Sequence, residues 1–206
     1  MNTTERLNQH KEMMQKILDK ETLIAEEIVM QINDFYNQEE QDWEELYNII
    51  KDLIYISLRQ TYKMTLKELN DIYNLQLSSP KTISEKQIND YVYSKDKKTL
   101  IDRIKEHINN AKKEEITQET LKYNLIRLLD NETKTVNHKL TKAQLKKKKF
   151  EYGMIFSGGG CDRECCNVSV EEWIPIEEVE EPPYHPNCSC EVIYIDEEVD
   201  LNEEEE

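Results

Sequence analysis

Apolar residues fall at Leu7, Met14, Ile17/Leu18, Ile24/Ala25, Ile28, Ile32 and Phe35, with polar residues filling the intervals. Steps of three, four and seven draw one stripe along a helix, so the pattern predicts an amphipathic helix from Thr3 to about Tyr36. The acidic stretch "NQEEQDW" interrupts it, and the stripe resumes at Leu46, Ile49/Ile50, Leu53/Ile54, Leu58 and Tyr62. This predicts a second long helix, able to pair with the first as an antiparallel hairpin. "YKMTLKELNDIYNLQL" reads as a short third helix. "SSPKTISEKQI" reads as a break and a new start, because Ser84 and Gln87 have capping-box spacing. Another helix is expected over Lys97 to Lys113. A further one starts at the cap Thr117, with Leu121, Leu125 and Leu128 on one stripe.

Near Thr133 the texture changes. Lys134 to Lys149 holds seven lysines and no acid, and "KLTKAQLKKKKFEYG" predicts a basic helix that stops at Gly153 as a C-cap. Beyond it, "YGMIFSGGG", "EWIPI" and "CEVIYI" are short β-branched or aromatic runs separated by Gly and Pro, which predicts two or three short strands. The fold class expected is therefore mainly α: an elongated helical N-terminal body with a small C-terminal α+β module of short strands. Residues 1–132 form the body, 133–196 the module, and 197–206 an acidic tail expected to be disordered.

Composition sharpens this outline. All four Gly and four of the five Pro follow Tyr152, which leaves Pro80 as the only such breaker in the first 150 residues and favours long helices there. Hydrophobic residues make up 37% and charged residues 34% of the 206, so the core is thin for the chain's length. There is no apolar run long enough to cross a membrane and no apolar signal core near Met1, so a membrane partner and export are not expected. The net charge of −16 is confined to one end. Glu151 to Glu206 holds 18 acidic residues and one basic residue, while the preceding 150 residues are nearly balanced. That C-terminal quarter repels DNA and attracts basic surfaces. The lysines of 134–149 have two readings: a solvated helix that meets the acidic module, or a contact to phosphate backbone.

All five cysteines lie in "CDRECC" (Cys161 to Cys166) and "PPYHPNCSC" (Pro182 to Cys190). An odd number of thiols, in a chain expected to stay in a reducing compartment, fits metal ligation or free thiols better than a disulfide framework. Two close ligand pairs joined by a loop are how a chain encloses a tetrahedral Zn²⁺, and thiolate and imidazole are donors that suit it. The candidate ligands are Cys161, Cys165, His185 and either Cys188 or Cys190, with Cys166 an alternative to Cys165. A staple of this kind is what a very small sheet needs. The zinc is read as structural. The histidine has no third group to orient it, and H-E-x-x-H, G-x-S-x-G and phosphate-loop motifs are all missing. His10, His107 and His138, in Lys- or Asn-rich helical surroundings, are expected at the surface.

The stretch "PPYHPNCSC" resembles the Pro-Pro-x-His-Pro-Asn-Cys-Arg-Cys signature of the phage Mu F-like minor head protein, or head-morphogenesis, family. Ser189 stands where that family usually has Arg. "CDRECC" stands where the family has C-x-x-C, with one extra residue between Cys161 and Cys165. "KTVNHKLTKAQLKKKKFEYG" matches the length of the family's preceding helix but opens Lys-Thr-Val instead of Arg-Thr-Glu. The resemblance covers about Lys134 to Ile195. It implies a structural virion component of a tailed phage or prophage, without catalysis. Such a protein is made in the host cytoplasm and held in the capsid interior near the portal, where it assists head assembly or DNA delivery. The partners implied are the portal and the major capsid or scaffold protein; contact with packaged DNA through Lys134–Lys149 is the reading of the lysines themselves. The alternative, from the residues alone, is a zinc-dependent nucleic-acid-binding accessory protein. An enzyme with Cys188 or Cys165 as nucleophile is the third.

Overall fold

The computed structural model describes residues 3–93, 98–156, 173–183, 188 and 190–196. These form five helices followed by a three-stranded antiparallel sheet. Helix α1 spans Thr3–Tyr36 and α2 spans Trp43–Tyr73. At about 1.5 Å per residue they are rods of roughly 50 and 45 Å. They run antiparallel, as the stripes predicted: the rings of Phe35 and Trp43 meet at one end, 4.6 Å apart, and His10 bonds Tyr73 at the other. Asp42 starts α2 by accepting from the N–H groups of Glu44 and Glu45. Asn74 ends it in the left-handed region at φ 50°, which Asn tolerates. The segment expected as a short third helix is the continuation of α2. Nothing from Tyr62 to Tyr73 breaks the backbone, and Leu66, Leu69 and Ile72 carry the buried stripe onward.

Helix α3 (Glu85–Asn89) starts on the predicted Ser84–Gln87 capping box, and α4 (Leu100–Lys112) on a second box of Thr99 and Asp102. Helix α5 (Gln118–Lys147) starts at Thr117 and runs without a break through Lys134, so the two helices expected there are one. It ends at Lys147, not at Gly153. Lys149, at φ 66°, takes the left-handed turn. Gly153 lies instead in β1 (Tyr152–Phe156), opposite Tyr194. A Cβ there would stand 2.7 Å from a Val179 methyl and 3.1 Å from the Tyr194 ring, so close packing, not a helix stop, is what requires glycine.

Strands β2 (Ile174–Pro175) and β3 (Glu191–Ile195) flank β1 in the order β2-β1-β3. All five residues of β3 are buried, although it is an edge strand, because the helices cover it. Two apolar clusters hold the molecule. One joins Ile28, Ile54, Leu58, Ile104, Leu125 and Leu129 inside the helical body. The other gathers Met13, Ile17, Leu69, Leu145, Val192 and Tyr194, and so fastens the sheet onto the end of the helices. Each side chain of this size contributes about 1.5–3 kcal/mol on burial. The fold is mainly helical with a small C-terminal sheet, as the sequence predicted. No helix among the described residues is long and apolar enough to cross a membrane.

Candidate functional site

Cys188 and Cys190 stand immediately ahead of β3 and are buried, at 2% and 3% exposure. They are two of the five predicted ligands. Cys161, Cys165 and His185, like Cys166, lie outside the described residues. Among the described residues no group of three or more His, Cys, Asp or Glu side chains is placed to hold a metal. The described part of the set is thus a pair of buried sulfur donors at the root of a strand. Sulfur is the donor type that suits Zn²⁺.

Against β3 the end of the helical body is polar, and here the expectation of surface histidines fails. His10 is 2% exposed and His138 5%, because the sheet docks over the face that carries them, while His107 is half-buried. The Tyr73 hydroxyl accepts from the Tyr194 N–H at 3.3 Å and lies 2.7 Å from His10 Nε2. Burial holds the Tyr73 hydroxyl above its ordinary pKa, so it stays protonated and donates to His10. Nε2 is then an acceptor and the ring is neutral. The electrostatics agree: burial first, and the Arg6 guanidinium second, lower His10 to about 4. Arg6 donates to the Tyr194 carbonyl at 3.2 Å and lies over the Tyr73 ring, 5.5 Å from its centroid. Both main-chain polar groups of Tyr194 are therefore met by side chains of α1 and α2.

Glu191 directly follows Cys190. One of its carboxyl oxygens lies 3.9 Å from His138 Nε2 and lacks a hydrogen-bond partner among the described residues. The contact is not an ion pair. Burial pushes Glu191 up to about 8, and burial, followed by His10 and Lys134, pushes His138 down to about 3. Both are neutral near pH 7, since desolvation outweighs the attraction the two charges would gain. Asn137 completes the seam between α5 and its neighbours. It accepts from the Thr65 hydroxyl at 2.7 Å, and its amide donates to the Met14 sulfur. Further along α1, burial and then Asp130 push Glu21 up to about 7. Arg6 and Tyr73 thus fix the sheet's seat on the helices through directional bonds as well as apolar contact, while Asn137 ties the helices to one another.

The lysines of α5 turn toward the acidic segment that follows them. Lys142 approaches Glu181 at 3.3 Å and donates to the Val179 carbonyl, and Lys146 meets Glu177 at 2.6 Å. Lys134 pairs with Asp130 within the helix, and Lys139 donates to the Val92 carbonyl. Lys147, Lys148 and Lys149 are exposed.

The polar seam was missed from the sequence, although a signal was there for His10. It sits three and four residues before Met13 and Met14 and seven before Ile17, on the buried stripe itself. His138 likewise lies seven residues before the buried Leu145. Nothing local marks Glu191, because its burial depends on α5 and α1. No family model matches the chain, and no curated protein or solved structure matches it.

Proposed function

We propose that this chain is a minor head protein of a tailed bacteriophage or prophage. Its role is structural, in the capsid interior beside the portal, where it serves head assembly and DNA delivery without catalysing a reaction. The observation that carries the reading is the stretch from Pro182 to Cys190, which resembles the Mu F-like head-morphogenesis signature. It leads straight into a strand buried against a long helical body. Rigid rods with an appended, tightly seated module suit a protein that works by contact. Zn²⁺ bound by Cys161, Cys165, His185 and either Cys188 or Cys190 acts here as a staple for strands of five, two and five residues.

The test is fractionation of phage particles and procapsids from the producing host. The protein is expected in both with portal and shell, at a few copies per particle, and its absence from both ends the proposal. A zinc-dependent nucleic-acid accessory role is the weaker reading, because four of the seven lysines in Lys134–Lys149 already have partners. The exposed Lys147–Lys149 are what keep it testable. DNA affinity that falls steeply with added salt supports it, and no binding at low salt removes it.

A further inference from the structure

We propose that the groove between α1 and α5 seats a basic amphipathic helix of another protein. The groove has a volume of about 420 Å³ and is lined by Ala25, Glu26, Val29, Met30 and Asp34 of α1 with Ile126 of α5, among others. Met30, in its lining, is 47% exposed, and the same two helices carry two further exposed apolar side chains, Leu23 at 62% and, one turn before Ile126, Tyr123 at 57%. Single exposed apolar residues are ordinary, but a cluster of them along two adjoining rods is the mark of an interaction surface. Leu23 and Met30 are seven residues apart and so lie on one line along α1, the repeat against which a further helix packs.

Charge selects the occupant. The lining includes two carboxylates, Glu26 and Asp34, and no basic side chain. Neither acid has an ion-pair partner among the described residues. A second copy docked about a two-fold axis would bring these same carboxylates together, and like charges opposed across an interface are costly. A helix with an apolar row flanked by Lys or Arg meets the apolar lining and both acids. The groove belongs to the helical body, away from the cysteine-bearing segment, so this proposal does not rest on the head-protein reading.

The experiment titrates the full-length chain into a labelled synthetic helix of about 18 residues, near five turns. Leu occupies one face of the peptide and Lys the rest, and binding is read by fluorescence anisotropy. Met30→Glu is expected to weaken binding about tenfold or more, the loss of one well-buried apolar contact, even though it makes the surface more acidic. Asp34→Lys is expected to weaken it as well, and Ile56→Glu, an exposed change elsewhere on α2, to leave it unaltered. Three results overturn the proposal: no binding by the unaltered chain; binding to the Met30→Glu variant as tight as to the parent, which shows attraction by charge alone; or sedimentation of the unaltered chain as a dimer that Met30→Glu dissociates, which makes a second copy the occupant.

Discussion

Gly153 shows how little room the sheet leaves at its centre. A methyl group at that position would enter the space of Val179 and of the Tyr194 ring, neither of which has a flexible end to swing away. Gly153→Ala is therefore expected to destabilise the protein by about 1–3 kcal/mol in a urea melt, the usual effect of overpacking. The buried titratable residues predict a second behaviour. Glu21, raised to about 7 in the fold, binds more protons than in the unfolded chain between about pH 4.5 and 7, so its contribution is lost as pH rises through that window. His10, lowered to about 4, binds fewer protons than when unfolded between about pH 6.5 and 4, so its contribution is lost as pH falls. The two slopes oppose each other in the overlap. Glu21→Gln, which mimics the protonated acid, is expected to be more stable than the parent by about 1–3 kcal/mol at pH 8 and equal to it near pH 4. A pH series of denaturant midpoints checks this.

Among the elements, α4 and α5 are locked by one charged contact. Arg103 bonds Glu132 at 2.5 Å, and the two side chains clamp the backbone of Tyr93 between them, Glu132 accepting from its N–H and Arg103 donating to its carbonyl. Glu132 is fully buried, and burial raises its pKa despite the partner. Arg103→Ala leaves that acid buried and uncompensated, and is expected to cost about 3–5 kcal/mol. Arg103→Ala combined with Glu132→Gln should recover a large part of the loss, measured by thermal melting. Helices of this kind were legible in the sequence where the signal is local. The stripes of α1 and α2, the Ser84–Gln87 box and the Thr117 cap all depend on residues within a few positions of each other. Boundaries that depend on what does not break were harder: α2 runs on through Leu66 and Leu69, and α5 through Lys134, because composition changed there while the backbone had no reason to stop. The three strands were visible as β-branched runs, but the burial of His10, His138 and Glu191 was not. It is made by contacts between residues more than fifty positions apart, on elements whose docking no single stretch announces. For the metal site the sequence supplied a ligand set, of which Cys188 and Cys190 fall within the described residues and are buried.

At the scale of the whole molecule, helices and sheet share a cluster that contains Met13, Leu69, Leu145 and Tyr194. If the proposed zinc is present, its removal with a chelator is expected to loosen the C-terminal sheet while the helical signal in circular dichroism largely persists, because the first cluster contains no residue of the three strands. A protein that loses neither signal on chelation carries no structural metal. The completion of Tyr194 by Arg6 and Tyr73 also ties distant parts of the chain together. The outer margin of β3 is built by side chains that precede it by more than a hundred residues. Deleting the turns of α1 that carry Arg6 would thus uncover β3, offering a bare strand to any neighbour that can extend the ladder. Aggregation of such a truncated chain, rather than simple unfolding, would be the symptom.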